Sequence, residues 1–104
     1  MIVPFSQLLL LAGLLFLFGM LCTILHKNLI MILIGLEIML NAMAVAFVGS
    51  GILLKETEGQ VFALFILVVA AAEVSIGLAL IVRFYRQTGS LDPGYFENKI
   101  GTNE

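Results

Sequence analysis

The chain has 104 residues, and 62% of them are hydrophobic, whereas a typical soluble domain is about 45–50% apolar. The net charge of −2 is uninformative about nucleic acid, but the sequence has no basic patch to bind phosphate, so we expect no nucleic acid among the partners. The only cysteine, Cys22, cannot form an internal disulfide and offers no metal or redox site. The composition predicts one small integral membrane domain.

Three apolar segments in succession predict an all-α membrane protein with three transmembrane helices. They run from about residue 4 to 25, 29 to 50 and 61 to 84, each near the ~20 residues that cross a bilayer. We assign residues 1–86 to this three-helix transmembrane domain, in direct contact with the lipid bilayer. Residues 87–104 follow as a cytoplasmic tail, in which Gly89 and the run Asp92-Pro93-Gly94 are turn signals.

The basic residues predict the orientation of the chain in the membrane. Lys27 lies in the first connection, and Arg83 and Arg86 lie at the end of the third span. Three spans place these residues on one side, which the positive-inside rule assigns to the cytoplasm. We therefore expect the N-terminus outside and the C-terminus in the cytoplasm. The membrane would be the bacterial plasma (inner) membrane or the equivalent membrane of an organelle.

Two glutamates lie inside long apolar segments: Glu37 is the only formally charged residue from position 28 to 54, and Glu73 is the only one from position 59 to 82. A carboxylate at the centre of a membrane helix is unfavourable by ~2.5–3.5 kcal/mol on insertion scales. Glu37 is ten residues from Lys27, and Glu73 is ten residues from Arg83, so each lies ~15 Å from the cytoplasmic boundary. Both acids are therefore predicted near the bilayer midplane, at matching depth on antiparallel helices.

Apolar surroundings favour the neutral form of a carboxyl group, which can then release a proton when water or a cation approaches. This behaviour suits a proton relay, and Glu37 and Glu73 are the predicted relay residues. The alternative is that each glutamate only bridges helices through hydrogen bonds. Asn41, one turn after Glu37, offers an amide that could bond to the acid, hold water or simply join helices.

Small residues near both acids predict close approach between helices. In the first two spans these residues are Gly13, Gly19 and Gly35. In the third span they are Ala71, Ser75 and Ala79, which form a stripe at four-residue spacing, together with Gly77. We interpret them as packing or supporting polar residues and not as ligands.

Two runs of sequence resemble a known family. Residues 34–42 (IGLEIMLNA) are similar to the second-helix motif of the NuoK subunit of respiratory complex I, which is called the 4L subunit in mitochondria. Residues 70–80 (AAAEVSIGLAL) resemble its third-helix motif, and residues 58–61 resemble the segment before that helix. The resemblance extends over nearly the whole chain up to about Arg86.

The resemblance implies membership in an NADH:quinone oxidoreductase, which passes electrons from NADH or another reductant to quinone and pumps protons. NADH, FMN, iron–sulfur clusters and quinone would be used by other subunits, with no cofactor on this non-redox chain and no catalytic activity of its own. Its partners would be the quinone-linked and the antiporter-like membrane subunits. Glu37 and Glu73 would belong to a line of charged residues along the membrane arm. His26-Lys27 departs from the arginine pair usual in bacterial members.

Other readings remain open at this stage. The small subunit of a multisubunit cation/proton antiporter has three spans but generally lacks the Gly-Leu-Glu motif found here around Glu37. A purely structural subunit, which clamps larger partners together, is an alternative from another class. A small multidrug exporter usually has four spans and one early acid, and a rotor-ring subunit usually has two spans.

Overall fold

A computed structural model of the chain describes residues 4–97, so residues 1–3 of the predicted membrane domain and 98–104 of the tail lie outside the described part. Three helices fill most of this range: α1 (Phe5–Leu25), α2 (Leu29–Leu54) and α3 (Glu58–Thr88). Each is long and apolar enough to cross a membrane. The predicted all-α architecture with three spanning helices is therefore confirmed.

The second and third helices are longer than the predicted spans. Residues 51–54 continue α2 and residues 58–60 begin α3, so the connection between them shrinks to a turn at residues 55–57. Lys55 ends α2 in the left-handed conformation, with φ at 57°. The amide of Glu56 donates to the carbonyl oxygen of Gly51 at 2.9 Å, which satisfies an otherwise open helix end.

The start of α2 is fixed by Asn28, whose side-chain oxygen accepts a hydrogen bond from the amide of Ile30 at 2.9 Å. Capping of this kind satisfies one of the amides that a helix leaves unpaired at its first turn. We call the end that carries Lys27, Arg83 and Arg86 the basic end of the molecule. The opposite end, with the α2–α3 turn, is the hairpin end. Which end faces the cytoplasm stays a prediction.

The helix α2 lies at the centre, and α1 and α3 both pack against it. The residues buried between the helices are small. Among alanines these are Ala12, Ala42, Ala44, Ala63 and Ala70, each 7% exposed or less. No large side chain of the described residues is fully buried, and most of the large apolar ones face outward. Helix contact here depends on close backbone approach, as is usual in membranes.

The crossing of α1 and α2 is built on two glycines. A Cβ atom added to Gly19 would lie 2.6 Å from the carbonyl oxygen of Gly35, so neither position has room for a side chain. Next to them, the hydroxyl of Thr23 donates to the carbonyl of Gly19 at 2.9 Å. The predicted close approach is confirmed for Gly19 and Gly35. For Gly13 it is wrong within this chain, because a Cβ there would meet no described atom within 4 Å.

The antiparallel pair of α2 and α3 is closest at the hairpin end, where a Cβ on Gly51 would lie 3.1 Å from the Cα of Gly59. The rings of Phe47 and Phe62 stack beside this contact, with centroids 5.6 Å apart. Towards the basic end, a Cβ on Gly77 would lie 3.2 Å from Leu33 Cδ1.

The prediction for the small residues of α3 is confirmed for Gly77, which packs against α2, but is wrong for the stripe of Ala71, Ser75 and Ala79. The contact uses Gly59, Ala63, Ala70 and Gly77, which are buried or half-buried. The predicted stripe of Ala71, Ser75 and Ala79 is exposed along its whole length. Both sets have helical spacing, and the second is centred about 150° around the helix from the first.

The first part of the tail folds back on the basic end. Gly89 ends α3 with φ at 73°, a conformation that suits glycine. Turns follow, in which the side chains of Ser90 and Asp92 accept hydrogen bonds from the amides two residues on. The carbonyl of Leu91 then accepts the amide of Leu29 at 2.8 Å. The tail is thereby joined to the first turn of α2.

Candidate functional site

Packing between α2 and α3 sets the relative height of the two glutamates. Leu33 faces Gly77, and the helices are antiparallel. Glu37 lies one turn after Leu33, and Glu73 lies one turn before Gly77, so the two acids lie at the same level of the helix pair. The Gly51–Gly59 contact at the hairpin end has the same register.

The two carboxyl groups differ in their surroundings. Glu37 is half-buried, and its Oε1 atom is inaccessible yet accepts no hydrogen bond from the described residues. Glu73 is exposed on the surface of the chain. The two acids therefore share a level of the helix pair but differ in exposure.

Asn41 does not form the hydrogen bond to Glu37 that the sequence made possible. Its side chain is exposed and lines a groove of about 520 Å³ on one face of α2. We call this the Asn41 groove. Its walls include Leu8 of α1, Val45 and Val48 of α2, and Ala63 and Leu67 of α3. The groove runs from Asn41 to the hairpin end.

The other supporting residues have local roles. The hydroxyl of Ser75 donates to the carbonyl of Ala71 at 3.0 Å, within its own helix. Gly35 packs against α1 and holds the α1–α2 crossing half a turn from Glu37. Gly77 lines a second groove, of about 550 Å³, which lies between α2 and α3 at the basic end and reaches Pro93 of the tail. Neither glycine offers a ligand.

Lys27, Arg83 and Arg86 are exposed together at the basic end, as the predicted topology requires of anchoring residues. Within residues 4–97, no group of three or more His, Cys, Asp or Glu side chains is arranged to hold a metal ion. Two contacts were not predicted from the sequence. The carbonyl of Leu91 caps α2, and it could not be predicted because every residue type has the same backbone carbonyl. The hydrogen bond from Thr23 to Gly19 could have been predicted, because Thr23 is one turn after Gly19 on the same helix face.

Comparison with known proteins identifies the family. Residues 7–96 match the family described as NADH-ubiquinone/plastoquinone oxidoreductase chain 4L. This range includes the tail up to Phe96, whereas the sequence motifs alone reached only about Arg86.

Individual relatives agree with that match. The NADH-quinone oxidoreductase subunit K 2 of Syntrophobacter fumaroxidans is 57% identical over 96 residues, covering 92% of this chain and 84% of the relative. Subunit K of Syntrophotalea carbinolica is 50% identical over 101 residues, covering 97% and 100%. Subunit K 2 of Geobacter sulfurreducens is 46% identical over 102 residues, again covering 97% and 100%.

The relatives show that the chain is part of a multisubunit NADH-quinone oxidoreductase. Together with the three apolar helices, they fit an integral protein of the bacterial inner membrane. Other subunits of that complex are therefore its partners, and the antiporter, exporter and rotor-ring alternatives are excluded. The match covers most of the chain and includes both glutamate motifs. The chain belongs to the chain 4L (subunit K) family of NADH-quinone oxidoreductases.

Proposed function

We propose that Glu37 and Glu73 relay protons through the membrane arm of the oxidoreductase, between the quinone-linked and the antiporter-like subunits. The observation that carries the proposal is the pair of carboxyl groups at one level of α2 and α3, a level set by the contact of Leu33 with Gly77. Each carboxyl group can bind or release a proton, so protonation can pass along the pair as water and adjoining groups rearrange.

The exposure of Glu73 supports a relay that continues into another subunit. A carboxyl group on the outer surface of a membrane helix cannot face acyl chains without a large penalty, and such groups almost always face protein or water. The inaccessible Oε1 of Glu37 likewise needs a donor from water or from an adjoining chain. This chain therefore supplies two members of the relay, and its partners supply the access paths. The relay moves protons without a redox centre or catalytic group on this chain.

The relay is tested by Glu37→Gln and Glu73→Gln, each measured in the assembled complex for proton pumping and for NADH:quinone oxidoreduction. Glutamine keeps the shape of the side chain but binds no proton, so pumping should fall by roughly tenfold or more in either variant. Glu56→Gln, in the turn at the hairpin end, is the matched control and should pump normally. Wild-type pumping in both membrane variants, with normal assembly, would rule out the relay.

A second candidate function is a structural clamp between larger subunits. The observation in its favour is the outward-facing apolar surface, because the described helices bury only small residues among themselves. The same variants separate the two functions. If the glutamates serve only to hold helices together, the glutamine variants should lose assembled complex, and whatever complex remains should pump in proportion to its oxidoreductase activity.

A further inference from the structure

The Asn41 groove has the geometry of a site for a fourth helix. Its floor is formed along α2 by Asn41, Val45, Val48 and Ile52, with successive spacings of four, three and four residues. Alternating spacings of four and three residues are typical of the contact line along which two helices pack over a long distance. We call these four residues the seam. The α1 wall contributes Leu8, and the α3 wall contributes Ala63 and Leu67. The seam spans twelve residues of α2, and the eleven rises of ~1.5 Å between them make it about 16 Å long.

One polar group interrupts this apolar seam. Asn41 is exposed at its inner end, and its side-chain amide makes no hydrogen bond with residues 4–97. An amide has two donors and an acceptor, and hydrocarbon satisfies none of them. The residue therefore needs a partner that carries hydrogen-bonding groups at that depth. In packed helices a single asparagine on such a seam fixes the register of the partner, because a shifted partner leaves the amide unpaired.

We propose that the Asn41 groove binds a transmembrane helix of another subunit, and that Asn41 fixes the register of that helix through a hydrogen bond to a polar side chain on it. The rest of the partner's contact face is apolar, to match the seam. The proposal rests on assembly of the chain into a multisubunit complex. It does not depend on proton transfer by the glutamates.

An acyl chain of a lipid is the competing occupant, and two features disfavour it. A lipid tail offers no hydrogen bond to Asn41, and it gains nothing from a seam with regular four-three spacing. The groove is also lined by the small buried residues Ala44, Gly49 and Ala63. Small residues of this kind are typical of sites where the backbone of another helix approaches closely.

The first experiment identifies the occupant in the assembled complex. A photo-crosslinking amino acid replaces Ile52, whose side chain is 59% exposed at the open end of the seam. Leu54 is the matched control, because it is 64% exposed and about 200° further around the same helix. The probe at Ile52 should join one membrane subunit, and the probe at Leu54 should not join that helix. Adducts with lipid alone at Ile52, or the same protein adduct from both positions, would overturn the proposal.

The second experiment tests the role of Asn41 with the Ile52 probe in place. In Asn41→Gln the amide is kept, so the crosslinked position on the partner helix should stay at the wild-type residue. In Asn41→Leu the seam is wholly apolar, so the adduct should spread to positions one helical turn away. Loss of assembly in Asn41→Leu but not in Asn41→Gln would equally support the amide contact. An unchanged single adduct site in Asn41→Leu would refute register setting. Neither readout uses proton pumping, so the relay can fail while this proposal stands.

Discussion

Replacing Gly35 by alanine should weaken the crossing of α1 and α2 beside the glutamate pair. The new Cβ would lie 2.7 Å from the carbonyl oxygen of Gly19 and 2.8 Å from the amide nitrogen of Thr23. Ordinary contact begins near 3.4 Å, so α1 must retreat by about 0.6–0.7 Å. The hydroxyl oxygen of Thr23 would lie closer still to the new Cβ, and the other two obstacles are backbone atoms, which cannot turn aside as a flexible side chain can.

The size of the effect follows from that displacement. A gap of 0.5–1 Å removes roughly a quarter to a half of the attraction between atoms that were in contact, and overpacking of this kind costs about 1–3 kcal/mol. Alanine gains about 0.8–1.0 kcal/mol over glycine as a helix former. Gly13→Ala is the matched control, because it has the same gain and meets no described atom within 4 Å.

The free energy of unfolding can be measured by titrating SDS into the purified chain in mixed micelles, with fluorescence transfer between dyes on α1 and α2. We expect Gly35→Ala to be about 1–3 kcal/mol less stable than Gly13→Ala, the difference due to overpacking alone. If the two variants unfold with equal free energies, the tight glycine crossing is not what holds α1 on α2.

Three further predictions concern the helix ends. Gly89→Ala puts a side chain on a residue with positive φ, at a cost of about 1–2 kcal/mol. The tail should then bind α2 less tightly, and hydrogen exchange at the amide of Leu29 should be faster. Unchanged exchange would show that the conformation of Gly89 does not hold the tail on α2. Asn28→Ala removes the cap of α2 and should cost about 0.5–2 kcal/mol, seen as faster exchange at the amide of Ile30 and not at α3. Lys55→Gly relieves a left-handed lysine and should raise the unfolding free energy by about 1 kcal/mol in the same SDS titration, whereas a decrease would contradict the assigned conformation.

The sequence was sufficient for the three helices and the common level of the acids. Apolar length fixes the number of spans, and a rise of ~1.5 Å per residue converts the distance from a basic anchor into depth. Glu37 and Glu73 could therefore be placed at one level without knowledge of any contact. The helix ends were less predictable, because residues 51–54 and 58–60 continue their helices beyond the apolar spans.

Contacts between helices could not be predicted from residue type. Gly13 and Gly19 are alike in sequence, yet only Gly19 faces α2. The two faces of α3 that contain Ala70 and Ala71 carry similarly small residues, and a rotation of α3 by about 150° decides which face is buried. Whether Asn41 and Glu37 form a hydrogen bond could not be predicted either, because their spacing permits the bond but the two side chains do not form it in the packed helices. These choices depend on partner surfaces that the local pattern does not contain.

The bond between the Leu91 carbonyl and the Leu29 amide has a consequence for biosynthesis. Its two residues are about sixty positions apart, so at ~5–20 residues per second the acceptor is synthesised roughly 3–12 s after the donor. Until then the first turn of α2 has the Asn28 cap but lacks the hydrogen bond from the amide of Leu29 to the tail. Attachment of the tail therefore follows synthesis of all three helices, and a nascent chain halted before residue 91 would lack this bond at its basic end.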